Sequence, residues 1–314
     1  MQSAPWPALA GRPLRVTTED GVPLHVEAHG PDDAAGTVVL LHGYQLSQRL
    51  WGRQVDALRR AHPELRVLTY DHRGHGRSGR THPDRATLAQ LGRDLEAVLE
   101  QLVPDGSVVL VGHSMGGMTV MSYVEQHPHR LGSRVMGVGL LSTSSGLLAE
   151  NDFGLHPRLA EVAHHVVPRA LERVHRRVER GRRQPPSPAT RVLLFGPGAD
   201  RADVLRTQQV LDGTPAATSA HFYSTFADHD RLHALEHLSD VPVLVACGDR
   251  DRITPLAHSR ALGEALPHAQ LVVYPDAGHM LLLERAADVN RRLLALVAAS
   301  GIATAPRPAA LRAG

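Results

Sequence analysis

The sequence predicts an α/β fold in which a mostly parallel, eight-stranded sheet is flanked by helices. The first observation behind this prediction is an alternation of short, β-branched apolar runs with amphipathic segments. The second is size, because 314 residues can bury a large core as one domain with an insertion or as two domains. The third is an ordinary composition for a globular chain, with 42% hydrophobic and 21% charged residues.

Each strand is predicted from its own apolar run, at 13–17, 23–28, 37–41, 66–70, 107–111, 135–141, 241–246 and 270–274. The first two flank the turn Glu19-Asp20-Gly21 and predict an antiparallel hairpin at one edge of the sheet. The other runs are continuously apolar, which is typical of buried parallel strands. Helices of the same layer are predicted at 51–61, 86–102, 115–126, 229–238, 256–265 and 284–299.

The alternation stops between about 146 and 228. Within this segment, apolar residues recur at spacings of three and four over 157–181, which predicts an amphipathic helix. We therefore expect a core made of 1–145 and 229–301, a helical lid insertion at 146–228 after the sixth strand, and a disordered tail at 302–314. A lid there lies over the carboxyl ends of the strands, where such sheets bind ligands. Its seven arginines between 169 and 183 predict a solvated face or a surface that attracts an anionic substrate or carrier partner.

The composition excludes several classes of function. All 34 basic side chains are arginine, which excludes a Schiff-base lysine, a pyridoxal phosphate anchor and a Gly-Lys-Ser/Thr phosphate loop. A net charge of +2 and 4% aromatic residues argue against nucleic acid as a partner. The single Cys247 excludes an internal disulfide and predicts a buried filler. With no signal-like start and no apolar run of membrane length, we expect a cytoplasmic location.

The most informative stretch is Gly112-His113-Ser114-Met115-Gly116, directly after the apolar run at 107–111. A buried strand ending in Gly-x-Ser-x-Gly predicts a tight turn into a helix, with small residues where the backbones approach and an exposed, strained serine. Serine is a poor nucleophile alone, so a base, an orienting acid and oxyanion donors must accompany it. The amide of Met115, at the start of the helix, is one such donor.

These residues resemble the α/β-hydrolase family over about 13–300, and the Gly-His-Ser-Met-Gly-Gly form is most like its lipase, esterase and monoacylglycerol-lipase branches. The resemblance implies the family order of nucleophile, acid and histidine. It assigns the base to His279 in Asp276-Ala277-Gly278-His279 and the acid to Asp251, four residues before Pro255. Asp249 stays open as a rival acid that otherwise caps the turn or pairs with Arg250. The His42-Gly43-Tyr44 turn resembles the family's second oxyanion donor, the amide of Tyr44.

Two other motifs have competing explanations. Gly74 to Gly79 fits the dinucleotide fingerprint Gly-x-Gly-x-x-Gly, but Thr81-His82-Pro83 prevents the helix that this fingerprint should open. His233-Ala234-Leu235-Glu236-His237 fits a zinc-peptidase pattern. The alternative is a helix with a leucine side in the core and a wet side carrying His229, His233 and His237. We therefore predict no cofactor and no metal.

Together these residues predict a serine hydrolase that cleaves a carboxylic ester of a small-molecule substrate through an acyl-enzyme. One alternative keeps the triad but uses it for lactone, thioester or carbon–carbon bond hydrolysis, or as the base of a lyase. A second alternative is a ligand receptor or scaffold with a vestigial triad. The substrate and the oligomeric state are not specified by these patterns.

Overall fold

The computed structural model describes residues 9–146 and 188–303. Eight strands form one sheet in the order β1-β2-β4-β3-β5-β6-β7-β8. The strands are β1 (Arg12–Thr17), β2 (Pro23–His29), β3 (Gly36–Leu41), β4 (Arg66–Tyr70), β5 (Ser107–His113), β6 (Val135–Leu141), β7 (Val243–Gly248) and β8 (Gln270–Tyr274). β2 pairs antiparallel with β1 and with β4, and all other pairs are parallel. The predicted sheet and its edge hairpin are therefore confirmed.

Helices cover both faces of this sheet. The helices of the described residues are α1 (Gly52–Ala61), α2 (Leu88–Leu102), α3 (Met115–Gln126), α4 (Pro188–Leu194), α5 (Arg201–Gly213), α6 (Ala216–Tyr223), α7 (Leu256–Ala265), α8 (Leu281–Glu284) and α9 (Ala286–Ser300). Of these, α4, α5 and α6 belong to the insertion and not to the layers on the sheet. Successive β3 side chains enter different apolar clusters, since Val39 packs with α2 and α3 while Val38 packs with α1 and α9. This alternation follows from the two-residue period of a strand. It places the sheet as the middle of three layers.

Two strand predictions needed correction. β7 begins at Val243 rather than at 241, because Pro242 has no N–H to donate to the ladder. β8 was expected to be a buried strand, but it is the outermost strand of the described sheet, and Leu271 and Val273 are 38% and 39% exposed. An apolar run in the sequence does not by itself distinguish an edge strand from a central one.

The predicted helix at 229–238 is wrong in its first half. Only a 3₁₀ helix, His233–Leu238, forms there. His229 is buried rather than wet and its Nε2 donates to the carbonyl of Ser144 at 2.7 Å, while Leu232 is 47% exposed. The Arg231 amide donates to the Ser145 carbonyl at 2.7 Å. These bonds fix 229–231 to the chain after β6, so the segment cannot take helical geometry.

The insertion and the tail are described only in part. From residue 188 to 226 the insertion is helical, with α4, α5, α6 and a short 3₁₀ turn. The predicted arginine-rich helix at 157–181 lies outside the described residues, as does the tail from 304. Ile302, assigned to a disordered tail, is buried in the cluster under α1 and α9. Among residues 9–146 and 188–303, no helix is both long and apolar enough to cross a membrane.

Candidate active site

Ser114 is the single residue between β5 and α3. Its φ of 53° and ψ of −121° lie in a region that costs an L-residue about 1–3 kcal/mol. The chain tolerates this strain because the turn is packed without space for side chains. A Cβ at Gly112 would lie 2.3 Å from the carbonyl carbon of Gly116, and one at Gly116 would lie 2.2 Å from the Leu41 oxygen. The strained turn predicted from the sequence is present.

The Ser114 hydroxyl has no structural role as a helix cap. It makes no capping hydrogen bond to α3, although serine is a favoured capping residue. The backbone of Ser114 is tied instead, because its carbonyl accepts from Gly117, Met118 and the Thr143 hydroxyl at 2.9, 3.2 and 2.8 Å. No capping bond occupies the hydroxyl, but Ser114 is buried, with 7% of its surface exposed, so the expectation of an exposed serine is wrong. The loop that carries Gly43 packs against the serine and covers it.

Asp251 and His279 are brought together from two different loops. His279 Nδ1 donates to both carboxylate oxygens of Asp251, at 2.9 Å to Oδ2 and 3.1 Å to Oδ1. The carboxylate also accepts the amides of Ile253 and Thr254 at 2.9 Å each and the Thr254 hydroxyl at 3.0 Å. Because Nδ1 carries the proton, Nε2 of a neutral His279 is left as an acceptor.

The environment keeps Asp251 ionised despite its burial. Burial raises the pKa of Asp251, but the charge of His279 and the hydrogen bonds from His279 and Thr254 outweigh it, so the net pKa lies below the ordinary value. Asp249, the rival acid, does not contact His279. Its Oδ1 accepts the Asp276 amide at 2.7 Å and lies 3.7 Å from Arg250, so it fastens the turn at the surface.

Two side chains that the sequence patterns did not single out hold the His279 loop. His113 Nε2 donates to the His279 carbonyl at 2.9 Å, and the two rings are 4.9 Å apart. Since His113 precedes Ser114, this bond ties the loop after β8 to the serine turn. Glu284 accepts the amides of Gly278 and Gly196 at 2.9 and 2.8 Å, which joins the loop to the insertion. No sequence spacing signals partners 166 and 88 residues apart.

The two predicted oxyanion donors lie on either side of the serine turn. In the part of the chain that the structure describes, neither the Tyr44 amide nor the Met115 amide donates to a protein acceptor. A Cβ on Gly43 would lie 3.0 Å from Ser114 Cβ, so the loop carrying Tyr44 packs directly on the serine. The Tyr44 hydroxyl donates to the Ser219 carbonyl at 2.5 Å, which anchors that loop to α6.

The two competing motifs do not form the sites that their patterns suggest. The loop after β4 opens no helix between Gly74 and Gly79 and is instead tied by Asp71, which accepts the amides of Gln48 and Arg77 at 2.8 and 2.9 Å. His233 pairs with Glu125 at 3.0 Å. Within 9–146 and 188–303, no three or more His, Cys, Asp or Glu residues are grouped so that they could hold a metal ion.

Sequence and structure comparisons agree on one family. The model of the alpha/beta hydrolase fold matches residues 36–286. The chain is 28% identical to a bifunctional esterase/perhydrolase of Acinetobacter calcoaceticus, covering 90% of this chain and 98% of that one. It is 31% identical to a non-heme chloroperoxidase of Streptomyces lividans, with coverage of 90% and 98%.

Solved structures of low identity share the fold. A bromoperoxidase from Bacillus anthracis superimposes with a TM-score of 0.72 at 23% identity, over 91% of this chain and 100% of that one. A thermophilic esterase from Thermogutta terrifontis does so with a TM-score of 0.68 at 24% identity, over 92% and 99%. The likeness to monoacylglycerol lipases stays a prediction. The family model over residues 36–286 and the identity to relatives over 90% of the chain place this protein in the α/β-hydrolase family.

Proposed function

We propose that this protein is a carboxylic ester hydrolase that works through an acyl-enzyme, with Ser114 as nucleophile, His279 as base and Asp251 as acid. The observation that carries the proposal is the doubly hydrogen-bonded pair of Asp251 and His279, tied through His113 to a strained, uncapped serine. A serine with a purely structural role in a turn does not need this combination of features. The esterase named among the relatives supports the same class of reaction.

In the proposed mechanism, Ser114 Oγ attacks the ester carbonyl carbon while His279 Nε2 takes the hydroxyl proton. The carbonyl π electrons move to oxygen, and the tetrahedral intermediate collapses as His279 returns the proton to the departing alcohol. Water then attacks the acyl-enzyme, again giving a proton to His279. The carboxylic acid leaves, and the proton returns to Ser114 Oγ.

Asp251 and the two amides stabilise the charges that arise in these steps. Asp251 holds the Nδ1–H tautomer of His279 and faces the imidazolium without taking its proton. The amides of Tyr44 and Met115 donate to the oxyanion, and removing one such donor typically costs about 100- to 1,000-fold in kcat. The insertion, proposed as a lid over 146–228, contacts this site through α6 and selects which small molecule enters.

The proposal is tested by labelling Ser114 with a fluorophosphonate and by turnover of a 4-nitrophenyl ester series. Wild-type protein is expected to be labelled and to turn over repeatedly, while Ser114→Ala is expected to do neither. A single burst of product would favour the receptor or scaffold with a vestigial triad. Labelling without ester turnover would favour lactone, thioester, carbon–carbon or lyase chemistry. Hydrogen peroxide belongs in the same assay as a second acyl acceptor, since the Acinetobacter relative is named a perhydrolase.

A further inference from the structure

The loop after β3 contains a buried histidine that the proposed mechanism does not use. His42 is fully buried, and its two ring nitrogens have different partners. Nδ1 lies 2.7 Å from the carbonyl oxygen of Gly43, the next residue along the chain. Nε2 lies 3.0 Å from the backbone nitrogen of His72, in the loop after β4.

These two partners fix the tautomer of His42. The amide of His72 can only donate, so Nε2 of His42 must be the unprotonated acceptor. The carbonyl of Gly43 can only accept, so Nδ1 must carry the proton. Burial and the neighbouring His72 and His75 hold the pKa of His42 well below its ordinary value, which keeps the ring neutral. His72 returns a bond from its own Nε2 to the His42 carbonyl at 3.0 Å, which locks the two loops together.

The Gly43 carbonyl and the Tyr44 amide belong to one planar peptide group, and they point in opposite directions because the peptide is trans. A donor that holds the carbonyl therefore also sets the direction of the N–H. Accepting hydrogen bonds at the carbonyl polarises the peptide, which makes its N–H a stronger donor. The Leu46 amide adds a second bond to the same oxygen at 3.1 Å.

We propose that His42 is a positioning residue: through Nδ1–H and the Gly43 carbonyl it aims and polarises the Tyr44 amide toward the developing oxyanion. This inference rests on the proposed function, because it assumes that Tyr44 supplies an oxyanion donor. His42 itself does not contact the reacting atoms. Its effect is therefore expected in kcat rather than in KM.

Two substitutions separate the two bonds of the ring. Asparagine carries its amide nitrogen at about the position of Nδ1, so His42→Asn keeps a donor for Gly43 and loses the acceptor for His72. Glutamine places its amide at about the position of Nε2, so His42→Gln keeps the acceptor and loses the donor. We expect His42→Gln to lose about 10- to 100-fold in kcat on a 4-nitrophenyl ester, below the range for complete loss of a donor. His42→Asn is expected to stay within about fivefold, and KM within about twofold for both.

A second measurement separates positioning from a merely structural role. It is the ratio of the rates with an ester and with its thiono analogue, which loss of structural support alone would not change. Sulfur accepts hydrogen bonds poorly, so this ratio should fall in His42→Gln and persist in His42→Asn. Equal kcat losses in the two variants would overturn the inference. So would kcat losses that are fully accounted for by a lower thermal unfolding midpoint of each variant. If a variant does not fold, histidine ¹⁵N NMR of the wild type decides, since a proton on Nε2 of His42 excludes the proposed bond. A wild type that neither turns over esters nor takes the fluorophosphonate defeats the proposed function itself.

Discussion

The two sides of Ser114 are built from different kinds of hydrogen bond. On the acid side, after β7 and β8, an ionised carboxylate accepts from His279 and from three donors of its own loop. On the oxyanion side, after β3 and β4, neutral imidazoles and close packing orient backbone groups. The acid side depends on which side chains are present, whereas the oxyanion side depends on how closely the chain can pack.

The largest expected effect tests the acid side. Asp251→Asn should lower kcat by about 10⁴-fold, because an amide cannot hold the Nδ1–H tautomer of His279 or stabilise the imidazolium. Asp249→Asn is the matched control, two residues away, and should stay within about fivefold because the Asp249 carboxylate accepts the Asp276 amide and lies beside Arg250 at the surface. Steady-state kinetics on a 4-nitrophenyl ester measure both. A larger loss in the Asp249 variant would reassign the acid.

A smaller effect is expected from crowding the oxyanion side. Gly43→Ala places a Cβ 3.0 Å from Ser114 Cβ and 3.1 Å from His113 Nδ1, so the loop, the serine or His113 must give by a few tenths of an ångström. Displacing the Tyr44 amide should cost about 100-fold in kcat, the lower range for loss of an oxyanion donor.

Gly198→Ala is the control for this substitution, since a Cβ there meets nothing within 4 Å. It should retain wild-type kcat. Activity of Gly43→Ala equal to that of the control would show that the loop after β3 carries no donor.

The same contrast explains what the sequence could predict. The buried strands and the serine turn follow from local patterns, whereas the pairing of His279 with Asp251 was expected from the resemblance to the α/β-hydrolase family. Sequence patterns cannot predict the roles of His42, His113 and Glu284. Their partners are backbone carbonyls and amides, and every position of the chain carries such groups. The burial of His229 was missed for the same reason, since the Ser144 carbonyl that accepts from it lies 85 residues away. Backbone partners carry no sequence signal.

The smallest expected effect concerns stability and separates the two sides by pH. Burial lowers the pKa of His75, on the oxyanion side, to about 4. An unfolded histidine has a pKa near 6.5, so below that pH the unfolded chain binds a proton at this side chain that the native state does not bind. His75 therefore stabilises the fold fully above about pH 6.5, and this contribution is lost as pH falls toward 4. Between about pH 7.5 and 5.5 the loss amounts to about 1.4 kcal/mol of unfolding free energy.

Urea unfolding of wild type and His75→Gln at both pH values isolates the contribution of His75 to the unfolding free energy, because the carboxylates titrate alike in the two proteins. The variant is less stable overall, having lost the bond from Nδ1 to the Arg73 carbonyl, but its unfolding free energy should fall by about 1.4 kcal/mol less on acidification. A pH dependence of His75→Gln equal to that of wild type would mean that the His75 ring binds a proton in the native state as readily as in the unfolded chain. Buried cations beside His42 would then contradict the neutral network that distinguishes the oxyanion side from the acid side.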